Sequence, residues 1–191
     1  MKTSCALIGL LLASPALAQE ETFNFDWAGI TDRHMKINMT GGNVTVQGEG
    51  GDDVTIIVTD ASEEREAPMT TEDGLRRLPN GGQNLVVRQE GGEIILRSGT
   101  ADDFANILVR MPNDARLTVS SSMEGGIRVL DVHGELDLQA SNGPVEVQGI
   151  RNAAVVHAHA DDLTASIASN ALPGPLVFTS WAGDVDLRMP A

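Results

Sequence analysis

The sequence contains no tyrosine, only one cysteine and an aromatic content of 3% across 191 residues. The cysteine, Cys5, lies in an apolar leader, so beyond the leader no disulfide can staple the chain and no thiol can act as a nucleophile. Basic residues are also scarce. Thirteen Lys and Arg stand against 27 Asp and Glu, a formal net charge of −14, and losing Lys2 with the leader takes it to −15. Such a surface repels nucleic acid and anionic lipid headgroups, and the basic residues are too scattered to form a patch against that field. Beyond the leader no apolar run approaches the roughly 18 residues a membrane span needs, so no integral membrane segment is expected after cleavage.

The leader has a recognisable build. Lys2 supplies a positive start, Ala6 to Ala13 an apolar stretch, and Ala16-Leu17-Ala18 a small-residue cleavage motif before Gln19. Residues 1–18 therefore read as a secretory signal peptide. Export without disulfides fits a bacterial β-protein of the periplasm or the cell surface better than a disulfide scaffold.

What the sequence has instead is repetition. From Ile107 to Leu187, apolar pairs at i and i+2 alternate with polar turns: Ile107/Val109, Leu117/Val119, Ile127/Val129, Leu136/Leu138, Val145/Val147, Ala154/Val156, Ala165/Ile167, Leu176/Phe178 and Val185/Leu187. Their first members lie 10, 10, 9, 9, 9, 11, 11 and 9 residues apart. Each unit is too short to bury a core alone and must stack on its neighbours. Two units per coil give coils of roughly 18–22 residues, the size of small β-solenoid repeats. The expected fold is all-β, a single-domain parallel β-helix or β-solenoid with regular repeats over 105–189. An antiparallel β-sandwich is the rival, because it too shows short strands every 8–12 residues or so. Near-constant spacing and small inward aliphatics favour the solenoid.

The first half is less regular. Phe23, Phe25 and Trp27 alternate as one strand face does, and residues 19–42 are expected to form an N-terminal cap over the core. Asn43 to Gln47 and Val54 to Val58 read as strands about a Gly-rich turn, as do Leu85 to Arg88 and Ile94 to Arg97 about Gly91-Gly92. Ile57, Val86 and Ile95 fall at outward positions, which implies strands covered on both faces. Residues 60–83 interrupt the repeat and read as an insertion loop, with room for a short helix limited by Pro68 and Gly74.

Val109-Arg110-Met111-Pro112, Leu117-Thr118-Val119, Gly126-Ile127-Arg128-Val129, Gly134-Glu135-Leu136-Asp137-Leu138, Gly143-Pro144-Val145-Glu146-Val147 and Gly183 to Pro190 together resemble the bacterial putative-adhesin domain family of unknown function. That family comprises exported β-helical repeat proteins related to autotransporter-adhesin head domains. The resemblance covers Thr40 to Ala191. It implies a β-helical fold and an envelope or surface role, and it supplies no catalytic or ligand residues. Similar domains commonly run on past the final Met-Pro, whereas this chain stops at Ala191. Self-association through the solenoid ends or an outer face is therefore expected, because an open strand edge invites pairing.

The chemistry-bearing residues are few. His157 and His159 share a strand face and can offer two imidazoles to a transition metal, with no third ligand apparent. Asp52-Asp53, Asp102-Asp103 and Asp161-Asp162 offer hard oxygens at turns, yet the Gly/Asp-rich calcium-binding nonapeptide is absent. Asp137, Glu146 and Asp186 are outward carboxylates, positioned as a sugar-cleaving β-helix would need if two of them faced each other across a groove. In the inferred register Arg128, Glu146, Ser166 and Asp186 line one outer face, with Arg128 and Glu146 an ion pair. Thr118, Asp137, Val155 and Val177 line the other. There Val155 and Val177 form a small apolar strip, which with Trp181 on its turn is the expected partner contact. No Ser-His-acid arrangement, metalloprotease helix or phosphate loop is present. The reading is a non-enzymatic exported binding or scaffold module of the cell envelope. It needs no cofactor, and its partner is an envelope or surface protein, a glycan or a second copy. A carbohydrate-active lyase or glycosidase, and an envelope sensor or assembly accessory, remain the alternatives.

Overall fold

The computed structural model describes residues 21–59, 76–80, 83–98 and 105–190. The expected signal peptide, the Asp102-Asp103 pair and residues 60–75 and 81–82 of the expected insertion lie outside them. The described residues form sixteen strands and no helix. One sheet holds, in spatial order, β1 (Glu21–Asp26), β4 (Asp53–Thr59), β8 (Asn106–Pro112), β3 (Val44–Glu49), β10 (Ile127–Leu130), β12 (Val145–Ile150), β14 (Leu163–Ile167) and β16 (Val185–Arg188). The second holds β15 (Leu176–Ser180), β13 (Ala154–Ala158), β11 (Leu136–Asn142), β9 (Arg116–Glu124), β2 (His34–Met39), β7 (Glu93–Ser98), β6 (Gln83–Glu90) and β5 (Arg76–Asn80). From β8 to β16 successive strands alternate between the sheets. Neither sheet closes on itself.

Pairing is parallel through most of both sheets. Ile107, Val44, Ile127, Val145, Leu163 and Val185 stand in one row across the first sheet. Met35, Leu117, Leu136, Ala154 and Leu176 do the same across the second. The inward alternation read from the sequence is reproduced from β8 to β13, where Ile107, Val109, Leu117, Val119, Ile127, Val129, Leu136, Leu138, Val145, Val147, Ala154 and Val156 are all buried, whereas Leu176 and Phe178 are half-buried and Val185 and Leu187 exposed. Each large aliphatic so buried contributes roughly 1.5–3 kcal/mol. These are the residues that short β-strands facing a shared core should carry, branched and of middle size.

The order of stacking differs from the expectation. β8 and β10 are consecutive units of the first sheet in the repeat, yet β3 lies between them, and β2 lies between β7 and β9. Residues 34–49 are thus threaded into the middle of both sheets. Residues 19–42 accordingly do not act together as a cap. β1 takes the sheet edge beside β4, with Phe23 and Trp27 buried, while β2 is interior, burying Met35, Ile37 and Met39. The period-2 pattern of those three residues fixes only which face they bury, and the parallel ladders to β7 and β9 place the strand inside the sheet. Within 60–83, Arg76–Asn80 forms an antiparallel edge strand against β6. β1, β4, β5, β6 and β7 join by antiparallel ladders, which reach the regular repeat where β4 meets β8. Ile57 is buried as its outward position required, whereas Val86 and Ile95 are only half-buried.

The register of β14 differs from the expected one. The inward pair of β14 that matches Val145/Val147 is Leu163/Ala165, and Ile167 falls beyond a register shift against Ile150. The sequence pattern admitted either choice, because Leu163, Ala165 and Ile167 are all apolar at period 2. Thr164, and not Ser166, therefore stands between Glu146 and Asp186 on the outer face, and Ser166 lies beside Arg188. The other outer row, Thr118, Asp137, Val155 and Val177, is as read.

The corners set how close the rungs can sit. Gly42, Gly125 and Gly143 have φ of 93°, 144° and 130°. A Cβ on Gly125 would lie 2.0 Å from the Gly42 carbonyl oxygen, and one on Gly143 would lie 2.3 Å from that of Gly125. Positive φ and the missing Cβ together let three turns stack at strand spacing. Gly125→Ala is therefore expected to destabilise the protein by about 1–3 kcal/mol or more, seen as a lower urea midpoint. Gly50→Ala, whose Cβ meets open space, should leave the midpoint within about 0.5 kcal/mol.

Candidate functional site

The outer face of the second sheet gathers the candidate residues. Parallel pairing in register puts side chains of equal rank in rows that run across the strands. One row is Lys36, Thr118, Asp137, Val155 and Val177. The next is Asn38, Ser120, Gln139, His157 and Thr179. Val155 and Val177 are direct cross-strand neighbours. Val155 lines a shallow hollow of about 430 Å³ with His34, Arg116, Thr118, Asp137 and Pro175. Ser120, Gln139, His157, His159, Thr179 and Trp181 line a second hollow of about 440 Å³. The five residues singled out in the sequence thus share one face.

Trp181 is the most exposed large apolar side chain there, at 82%. It follows β15 directly and its N–H donates to the Ala158 carbonyl (3.1 Å), which fixes the turn at the sheet edge. Its ring lies 5.6 Å from that of His159, tilted by 33°. β13 ends at Ala158, so His159 sits just past the strand, held by its N–H to the Ala140 carbonyl (2.8 Å). His157 is exposed in mid-row and His159 turns to the indole. No cluster of three or more His, Cys, Asp or Glu side chains able to hold a metal occurs among the described residues.

The carboxylates do not converge. Asp137 is on the second sheet, while Glu146 and Asp186 are on the first with Thr164 between them. Glu146 is paired with Arg128 (3.1 Å), as the sequence suggested, and accepts from Gln148 Nε2 (2.6 Å). Asp186 is paired with Arg188 (3.3 Å). Of the turn acids, Asp52 binds Arg33 and Asp162 accepts the Asp184 N–H (2.9 Å). These acids are engaged in the turns themselves.

Sequence reading missed a polar cluster at the other end of the same face. His34 Nε2 lies 2.9 Å from Thr118 Oγ1, Lys36 Nζ lies 2.7 Å from Glu93, and Arg116 pairs with Asp32 at 2.5 Å. Its members come from segments far apart in the chain, and only the threaded position of β2 joins them. Burial, then the Arg116 and Lys36 charges, lower the His34 pKa from 6.5 against the pull of Glu93 and Asp32. The hydrogen bond from Lys36 is the main cause that lowers Glu93 from 4.5.

Folding favours the neutral His34 ring, so the unfolded chain takes up its proton first. That contribution is complete above pH 6.5 and declines as pH falls below it. The Glu93 contribution is intact above 4.5 and is lost as pH falls through its lowered folded value. Stability measured by urea titration should decline as pH falls below 6.5, and His34→Gln, which can keep the bond to Thr118, should decline less.

No protein-family model matches the chain, and no curated protein sequence matches it. Solved structures do. The crystal structure of a putative cell adhesion protein from Clostridium sporogenes is similar over 91% of this chain and 100% of that one, with a TM-score of 0.60 and 7% sequence identity. That of a putative adhesin from Bacteroides fragilis covers 88% of this chain and 97% of its own at 9% identity, but at a TM-score of 0.34 the superposition is too loose to argue from. The first likeness establishes a shared all-β fold.

Proposed function

We propose that this protein is a non-enzymatic, exported, adhesin-like binding module of the bacterial cell envelope, built as a two-sheeted β-solenoid whose contact surface is the outer face of its second sheet. The observation that carries the reading is the convergence of Val155, Val177, His157, His159 and Trp181 on that face. A flat, rigid array of parallel strands offers an extended surface, the usual use of stacked repeats. The leader in the sequence supports export, and the fold shared with a putative cell adhesion protein supports an adhesin-like role.

The chemistry of the face narrows the ligand. Ser120, Gln139, His157 and Thr179 present hydroxyl, amide and imidazole groups beside an exposed indole. Such a set suits a hydroxyl-rich surface glycan, its sugar face on Trp181 and its hydroxyls on the polar row. The net charge of −14 disfavours acidic polymers. The carboxylates are dispersed and paired, so the proposal assigns no cleavage step.

Binding can be followed by fluorescence, because Trp27 is buried and Trp181 exposed among only two tryptophans. Neutral cell-surface glycans should shield Trp181 from iodide quenching and should be recovered intact. Trp181→Ala should weaken binding about tenfold or more, and Val155→Thr with Val177→Thr, which removes the apolar strip without setting like charges beside Asp137, should weaken it as well. Equal binding by these variants would remove the face from consideration, and shortened glycans would overturn the non-enzymatic reading.

A further inference from the structure

Both sheets reach an edge at the same end of the molecule, β16 in the first and β15 in the second. Leu163 and Ala165 are fully buried one rung in, whereas Val185 and Leu187, in register with them, are 42% and 43% exposed. Met189, just past the strand, is 64% exposed. The core column therefore meets solvent here, with its side chains already aligned in a strand.

The backbone of β16 has a definite parity. The Leu163 N–H donates to the Asp184 carbonyl (2.9 Å). Backbone groups alternate sides along a strand, so Asp184, Asp186 and Arg188 turn theirs toward β14. Val185, Leu187 and Met189 turn theirs toward the open edge. An unpaired row of this kind is a template for another strand.

We propose that a second copy of this chain occupies this edge, its β16 running antiparallel to the first across a twofold axis at Leu187. In this register Leu187 faces its counterpart, and Val185 faces Met189 of the second copy, on the core side. Asp186 faces Arg188 of the second copy, twice, on the outer side. By the parity above, Leu187–Leu187 and Val185–Met189 are the pairs that exchange both N–H···O bonds. Pro190, lacking an N–H, follows the last of them. Charge selects the register, because like charges directly opposite are destabilising. Moving the axis by one residue sets Asp186 against Asp186 or Arg188 against Arg188. At present Asp186 and Arg188 contact each other within the strand at 3.3 Å, both solvent-exposed, and they are free to exchange that contact for two across the axis. The pairing does not depend on which ligand the outer face of the second sheet takes.

Sedimentation of the leaderless chain tests this. The wild type should show a concentration-dependent doubling of mass. Asp186→Arg, which opposes two cations across the axis, should be monomeric with unchanged β-sheet circular dichroism. Asp186→Arg with Arg188→Asp reverses both members and should recover the doubling. Register is read by cysteine, since the single native cysteine, Cys5, lies in the leader. Opposed Cα atoms of a hydrogen-bonded antiparallel pair lie roughly 5.5 Å apart, within disulfide reach. Leu187→Cys should therefore oxidise to a covalent dimer and Asp186→Cys should not. A wild type that stays monomeric at millimolar concentration, a dimer indifferent to Asp186→Arg, or a charge reversal without recovery would each overturn the proposal.

Discussion

The structure depends on one hydrogen-bond row carried across the first sheet at constant register. The N–H of Ile107 donates to Asn43, that of Val44 to Gly126, Ile127 to Pro144, Val145 to Asp162 and Leu163 to Asp184, all between 2.8 and 3.0 Å. A parallel ladder has no tight hairpin to set its register, so the match must come from elsewhere. It comes from the core face, where a slip of one residue would turn Val145 and Val147 outward and Glu146 inward. It comes also from the corners, where Gly42, Gly125 and Gly143 admit the neighbouring turn only at one height.

That dependence explains which parts of the fold were legible. The side chain's facing is a local property at period 2, so the inward pairs and the outer row Thr118, Asp137, Val155 and Val177 could be read residue by residue. The neighbour of a strand is not local. Val44 and Val46 are as well suited to lie beside Ile107 and Val109 as Ile127 and Val129 are, and nothing in the spacing forbids β3 from entering between β8 and β10. The same degeneracy produced the β14 slip, where three apolar residues at period 2 offered two equivalent pairs and four extra residues before Leu176 absorbed the difference.

The candidate site divides along the same line. Val155, His157 and His159 stand on or just past β13 and Val177 and Trp181 on or just past β15, one rung away, so the Val155–Val177 strip could be counted out, whereas its joining with the two histidines and Trp181 came with the register. His34, Lys36, Glu93 and Arg116 meet only because β2 is threaded between β7 and β9. The sequence signal for that was Met35, Ile37 and Met39, an alternation in which Ile37 is the one β-branched member. Recognising it as an interior strand would still have left its two neighbours unknown.

The two outer faces now differ in a way that bears on use. On the first sheet, Glu49 pairs with Arg110, Arg128 with Glu146, and Asp186 with Arg188, each exposed and solvated. Exposed ion pairs of this kind add little stability, but desolvating them under a partner is costly, because both charges must shed water. On the second sheet, the rungs past β9 carry Val155, Val177, Gln139, His157 and Thr179 with Asp137, while its other end bears charge in the cluster around His34, in Arg97 beside Asn38 and in the Arg88–Glu90 pair. Covering that face removes apolar area and neutral polar groups from water, a smaller penalty with a hydrophobic gain. The cost of desolvation therefore differs between the outside of the first sheet and the rungs past β9 on the second.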